Sequence, residues 1–250
     1  MTTITRDIAA KVRDIVDVGL VSGLGDPQPG KFCVEAAVCY ALGLPHGDDP
    51  GCVSPALRAL KIRLNDARWS SPQARARGLR RLAVAQLGSA GVLDDRAFRA
   101  RVVALSIRWA VPIALRAAAR LVPDHAPALE AAARRCEQEE TIDAARAART
   151  SATAAADAAA ADAAANAAYA ATAAADAAAY AAAYAAAANA AYAATAAYAA
   201  DDAAAARTHD RVLAAYAERV VQILIDLNAP GCQWLDLVPV TEEELNGHSL

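Results

Sequence analysis

Between Ser151 and Ala206 roughly seven residues in ten are Ala, far above ordinary usage, and neither Gly nor Pro interrupts the run. Ala loses no side-chain entropy on entering a helix, so the tract is predicted to be helical. The constraint reaches further than secondary structure. Ala fills little space, so helices made of it must pack backbone-close, and the sparse large residues decide which faces meet. From Ala128 to Asn228 there is neither Gly nor Pro. One straight helix of that length would span roughly 150 Å, whereas a compact chain of this size has a radius of gyration of about 18 Å. A fold-back is therefore expected.

Phase suggests where. Asp162, Tyr169, Asp176, Tyr180 and Tyr198 share one narrow stripe of a helix, and Asn189 and Tyr192 fall opposite. A break is predicted near Ala186 to Ala190, or at the Thr150-Ser151 pair, which has the composition of an N-cap. Thr195, Tyr198 and Asp202 continue in phase with Leu213, Tyr216, Val220 and Leu227, an ordinary core stripe. Tyr169, Tyr180 and Tyr198 are thus expected to point inward as core filler.

Helix signals fill the rest of the chain. Thr5 to Val18 carries Ile8, Val12, Ile15 and Val16 on one face. Phe32 to Leu42 reads as a helix stopped by Gly43. Ser54-Pro55 and Ser71-Pro72 are each an N-cap followed by Pro at the first helical position. Asp94 or Asp95 can cap the next helix, which Pro112 should kink or end. No strand or hairpin is predicted. The expected fold is an all-α multi-helix bundle with a long Ala-rich helical hairpin. Its expected division is 1–122, a helical region with a basic site, and 123–250, an Ala-rich region anchored by Cys232, Trp234 and Leu235 after the Pro230-Gly231 turn.

Bulk properties narrow the function classes. A net charge of -3 argues against nucleic acid as a partner. Met1 to Arg13 lacks the pattern of a signal peptide, and no segment reads as a membrane span, since Asp and Asn punctuate the Ala tract. Five cysteines without a CxxC pair suit free thiols in a reducing cytoplasm. No metal or cofactor site is expected, and homo-oligomerisation stays open.

Two constellations bear on chemistry. In Gly30 to Val53, Cys33 stands near a helix N-terminus, where the dipole lowers a thiol pKa, and His46 and Asp48 or Asp49 follow in a loop. These are the parts of a cysteine nucleophile with base and orienter. The phrase CVEAAVCYALG resembles the opening helix of papain-like and bacteriocin-processing peptidases, which would make the protein a cysteine hydrolase. It lacks the Gly after the Cys, and no strand is present to carry the His. The alternative is small buried Cys on an apolar helix, and a poorly reactive Cys33 is the expectation.

The second is Arg58 to Arg81. Arg58, Lys61, Arg63, Arg68, Arg75, Arg77, Arg80 and Arg81 stand there against one acid, Asp66. Trp69 and two helix N-termini lie in the same stretch. Arg forks, an aromatic plane and helix N-termini suit a phosphate-bearing nucleotide. The leading expectation is a non-catalytic protein that binds an anionic, nucleotide-like small molecule through Arg58, Lys61, Arg63, Trp69, Asp66 and His46. A bacterial or phage protein that sequesters a nucleotide defence signal fits that chemistry. A solvated basic face paired with Glu137, Glu139 and Glu140 or with the acidic C-terminus is the plainer account. The Ala-rich region Arg134 to Asp202 also resembles immunity proteins of bacterial toxin systems, which implies a protein partner bound through that surface.

Overall fold

The computed structural model describes residues 3–158, 162–179 and 205–240. The chain is all-α, with an isolated bridge between Gly25 and Phe32 as the sole β pairing among the described residues. Helices run in the order α1 (Arg6–Asp17), α2 (Val34–Ala41), α3 (Pro55–Asp66), α4 (Pro72–Ala85), α5 (Asp95–Leu105), α6 (Val111–Leu121), α7 (Ala126–Glu139), α8 (Ile142–Ala158), α9 (Asp162–Ala179) and α10 (Ala205–Asp226). A π turn, Ser106–Ala110, joins α5 to α6, and a 3-10 segment, Pro230–Leu237, follows α10. Two compact units result: Met1–Phe98 together with Ala214–Leu250, and Arg99–Leu213. The division thus falls at Phe98 rather than near residue 122, because α6 packs on α7 and α9.

Helix ends in the first unit follow the local chemistry of the sequence. Thr5, Ser54 and Ser71 each accept a hydrogen bond from the backbone N–H three residues on, and Pro55 and Pro72 open α3 and α4. The end of α2 is a Schellman motif. Gly43, at φ +72°, donates to Tyr40 O, and Leu44 N donates to Cys39 O. Helices α1, α2 and α4 pack together around Val12, Val16, Val38, Leu79 and Leu82. The 3-10 segment lies on α1 and α4. Cys232, Trp234 and Leu235, the expected anchor, are half-buried there, and Gly231 and Val238 are buried. A Cβ at Gly231 would meet the carbonyl oxygens of Val84 and Ala85 at 2.5 and 2.6 Å, so the close approach itself requires Gly.

Pro112 does not end its helix. The π turn precedes it and Pro112 takes the second position of α6, so the helical run continues from Asp95 to Leu121. That run is long and apolar enough to cross a membrane by length and composition, but two-thirds of its most apolar window is buried inside the protein. Apolar character here serves packing against α7 and α9.

The Ala-rich region folds back, and the Thr150-Ser151 pair is not where it does so. Helix α7 ends at Glu140, which takes the left-handed conformation (φ +52°), and Thr141 caps α8 by accepting from Ala144 N. Thr150 and Ser151 lie inside α8: their hydroxyls donate to the carbonyls of Arg146 and Ala147, one turn back, which satisfies them without a cap. Helices α8 and α9 then pack against each other, and the side chains they bury are small, Ala148, Ala152 and Ala155 on α8 and Ala168, Ala171 and Ala175 on α9 among them. The predicted break between Ala186 and Ala190 lies outside the described residues. So do Tyr180 and Tyr198. Tyr169 is 54% exposed, so its stripe does not face inward on α9.

One polar clamp joins α6 to α7. Arg116 reaches Glu130 at 3.1 Å and holds Glu137 through two hydrogen bonds of 2.5 and 2.9 Å. The Arg116 bond holds the Glu137 carboxyl below its ordinary range. A depressed carboxyl stabilises the fold above its unfolded value, and that contribution fades as pH falls through the ordinary carboxylate range. Because both groups are over a third exposed, Arg116→Ala should cost only roughly 1 kcal/mol at neutral pH. Unfolding curves of both proteins should converge in acid.

Candidate functional site

The site grows out of the loop between α1 and α2. Val21 N donates to Phe32 O, Asp26 N to Lys31 O and Cys33 N to Leu24 O, closing the loop on itself. Gly25 makes that closure: it sits at φ +73°, and a Cβ there would lie 1.9 Å from Lys31 O. His46 stands with Nε2 3.0 Å from Gly25 O, so this nitrogen carries the proton and donates.

Asn65 and Asp66, at the end of α3, tie the loop to α2. Asn65 Oδ1 accepts from Val34 N, and its Nδ2 donates to Val21 O and to Asp66 Oδ1. Gly23 N donates to the same Asp66 oxygen at 2.8 Å. The loop, the start of α2 and the end of α3 enclose a cavity of about 60 Å³, bordered by Gly23, Leu24, Cys33, Glu35, Asp48, Asn65 and Asp66, among others.

Beside it lies the most unusual electrostatic feature of this unit. Glu35 Oε1 and Lys61 Nζ are 3.1 Å apart, and both side chains are wholly buried. Gln86 Nε2 makes a long 3.5 Å bond to the other Glu35 oxygen. Burial pushes the Glu35 carboxyl up and the Lys61 amine down, and the charge of each partner opposes the other's shift.

The candidate ligand-binding residues are placed as follows. Arg58 is engaged by the loop between α2 and α3: its Nε donates to Asp48 O at 2.6 Å, and its Nη atoms reach Asp48 Oδ1 at 2.8 Å and Asp49 Oδ2 at 3.3 Å. Lys61 faces Glu35. Arg63 is exposed. Trp69 is buried, with its indole N–H donating to Leu64 O at 2.9 Å. Asp66 borders the cavity, and His46 pins Gly25. Three further cations of the stretch are engaged, whereas Arg77 is exposed. Arg75 donates to Asn65 O and Leu20 O, Arg80 lies 3.7 Å from Asp17, and Arg81 pairs with Glu218 at 2.8 Å. Among the described residues, their carboxylate partners come from α1, α2, the α2–α3 loop and α10, not from Glu137, Glu139 or Glu140.

Cys33 is the N-cap of α2: its Sγ accepts from Ala36 N at 3.3 Å. The helix terminus does not leave it a thiolate, because burial outweighs those bonds and pushes the thiol up. Burial likewise pushes the Cys39 and Cys136 thiols up to about 11. His46 and Cys33 thus have different partners. Iodoacetamide at neutral pH should label Cys33, Cys39 and Cys136 slowly in the folded protein. Fast single-site labelling of Cys33 would return the hydrolase reading.

Asn65 and Glu35 are functional candidates that sequence reasoning passed over, and Asp48, read there as a possible orienter for Cys33, instead pairs with Arg58. A signal existed for the first: Asn65 and Lys61, one turn apart, share the buried face of α3 with Leu57, Leu60 and Leu64. Glu35 gave none, because α2 is buried almost all round and shows no apolar stripe for a carboxylate to interrupt. Comparison of the chain with family models, curated proteins and solved structures finds no match.

Proposed function

We propose that the chain is a non-catalytic small-molecule-binding protein, with its ligand site at the cavity between the α1–α2 loop, α2 and α3. The observation that carries this reading is the wholly buried Glu35–Lys61 pair at the cavity wall. Burying two charges costs about as much as their attraction returns, so folding alone has little use for the pair. A cavity with converging polar groups and displaced titratable residues is the natural place for a ligand. The non-catalytic part rests on Cys33, whose sulfur caps a helix, and on His46, whose ring is held by a carbonyl. A nucleotide-like ligand is the alternative class the panel tests: its phosphate would have to draw Arg58 from Asp48 and Asp49 at the rim.

The test is a melting-shift screen with calorimetric follow-up. The panel holds mono-, di- and cyclic nucleotides, amines, guanidines, amino acids and neutral amides. Ile62→Phe, which adds bulk to the cavity wall, serves as the blocked control. A ligand at a hundred times its Kd should stabilise the parent by about 2.7 kcal/mol and the blocked variant far less. The reading falls if no panel member binds, or if Ile62→Phe leaves binding unchanged.

A further inference from the structure

Resting on that reading, we infer that the group entering the cavity is a small organic cation, a primary ammonium or guanidinium, carried on an apolar body. The argument begins with the donors that frame the cavity. Gly23 N–H, Val34 N–H and Asn65 Nδ2 each already donate to an acceptor of the wall itself, Asp66 Oδ1 or Asn65 Oδ1, or to Val21 O. A phosphate or carboxylate arriving here would find these donors engaged. Acceptors remain. Asp66 uses one oxygen for both of its hydrogen bonds, which leaves Oδ2 open. Glu35, fully buried and bordering the cavity, has its Oε1 facing Lys61 Nζ at 3.1 Å, with no further donor to that oxygen among the described residues.

Charge points the same way. At the cavity wall Glu35 is balanced by Lys61 and Asp48 by Arg58. Asp66 has no ion-pair partner among the described residues, and Cys33, with burial opposing its ionisation, adds no charge. The wall therefore carries one net negative charge. Size sets the next limit. A cavity needs roughly 10–15 Å³ by this measure to hold one water, so one of about 60 Å³ takes an end group of a few heavy atoms. The described residues hold no group of three or more His, Cys, Asp or Glu arranged for a metal ion, which directs the site to an organic cation.

The apolar body follows from Leu24 at the cavity and from the exposed aromatic surface carried by the same loop and α2. Leu24 borders it and is 43% exposed. Gly25, the next residue, pairs with Phe32, and the Phe32 ring lies 5.0 Å from that of Tyr40, itself 44% exposed. Lys11 Nζ already stands 5.6 Å from the Tyr40 ring centroid, so this aromatic surface accommodates a cation.

Calorimetry at low salt with phenethylamine and butylguanidine, against neutral phenethyl alcohol and butylurea and anionic phenylpropanoate, tests the inference. The cationic probes should bind at least tenfold tighter than their neutral counterparts, and binding should weaken as salt rises. Asp66→Asn keeps an oxygen for Gly23 N–H but removes the charge. It should reduce cation affinity at least tenfold without changing that of the neutral probes. Should this variant fold poorly, the salt dependence of the parent and the cation-to-neutral ratio decide alone. Neutral or anionic probes binding as tightly as the cations, with Ile62→Phe still blocking them, would overturn the cation while leaving the ligand site standing. If no probe or panel member binds the cavity, both readings fall.

Discussion

Lys61→Met alone is expected to destabilise the N-terminal unit by about 3–5 kcal/mol near neutral pH, because it strands a buried carboxylate. Glu35→Gln/Lys61→Met, which removes both charges and keeps the volume, should recover most of that loss. The pH dependence of the single variant follows from Glu35. Burial raises its carboxyl even with Lys61 beside it, and without Lys61 the opposing attraction is gone. A carboxyl raised in the folded state keeps a proton that the unfolded chain releases. Its contribution is present below the ordinary carboxylate value and is lost as pH rises towards the folded value. Lys61→Met should therefore sit closer to the parent at pH 5 than at pH 8. Urea unfolding followed by Trp fluorescence in a Trp109→Phe background isolates the unit that holds Trp69 and Trp234. A single variant as stable as the double at pH 8 would show that Glu35 and Lys61 are not coupled as the 3.1 Å distance requires.

What was legible in the sequence was local. Ser54-Pro55, Ser71-Pro72 and Gly43 act over three or four residues, and the chain obeys them. The fold-back of the Ala-rich region was legible from length, but Thr150-Ser151 misled as a site for it. Thr141 and Thr150 look alike as candidate caps, and the difference is that Glu140 can take a left-handed turn where α7 and α8 must part. Tyr169 failed for a related reason: a stripe gives phase along a helix but not which side its neighbour takes, and Ala against Ala decided it. The basic stretch shows the limit most directly. Eight cations against one acid is a local count. Glu35, Asp48, Asp49, Asp17 and Glu218 lie outside the counted window and come to those cations only through tertiary folding. The cavity was legible only through Lys61 and Asn65, polar residues on an otherwise apolar face.

Trp69→Ala should cost about 3–5 kcal/mol, the range for truncating a buried aromatic side chain. In the sequence Trp69 looks like a plane for a ligand to stack on, because it stands among arginines before a helix N-terminus. In the fold it is 7% exposed, its N–H is bonded to Leu64 O, and its ring covers Gly78. A Cβ at position 78 would meet the ring atoms Cη2 and Cζ3 at 2.3 and 2.5 Å, so that glycine is the floor on which the indole rests. Gly78→Ala should destabilise in the same direction by pushing the ring out, without removing a contact to any ligand. The two roles separate in one experiment. A structural Trp69 lowers the melting temperature while the fraction that remains folded binds ligand with parental affinity. A stacking Trp69 would leave melting nearly unchanged and weaken binding. The bond to Leu64 O ties the indole to the last turn of α3, next to Asn65 and Asp66. Its removal should therefore loosen the cavity wall only when the end of that helix frays, and calorimetry well below the melting transition keeps the two effects apart.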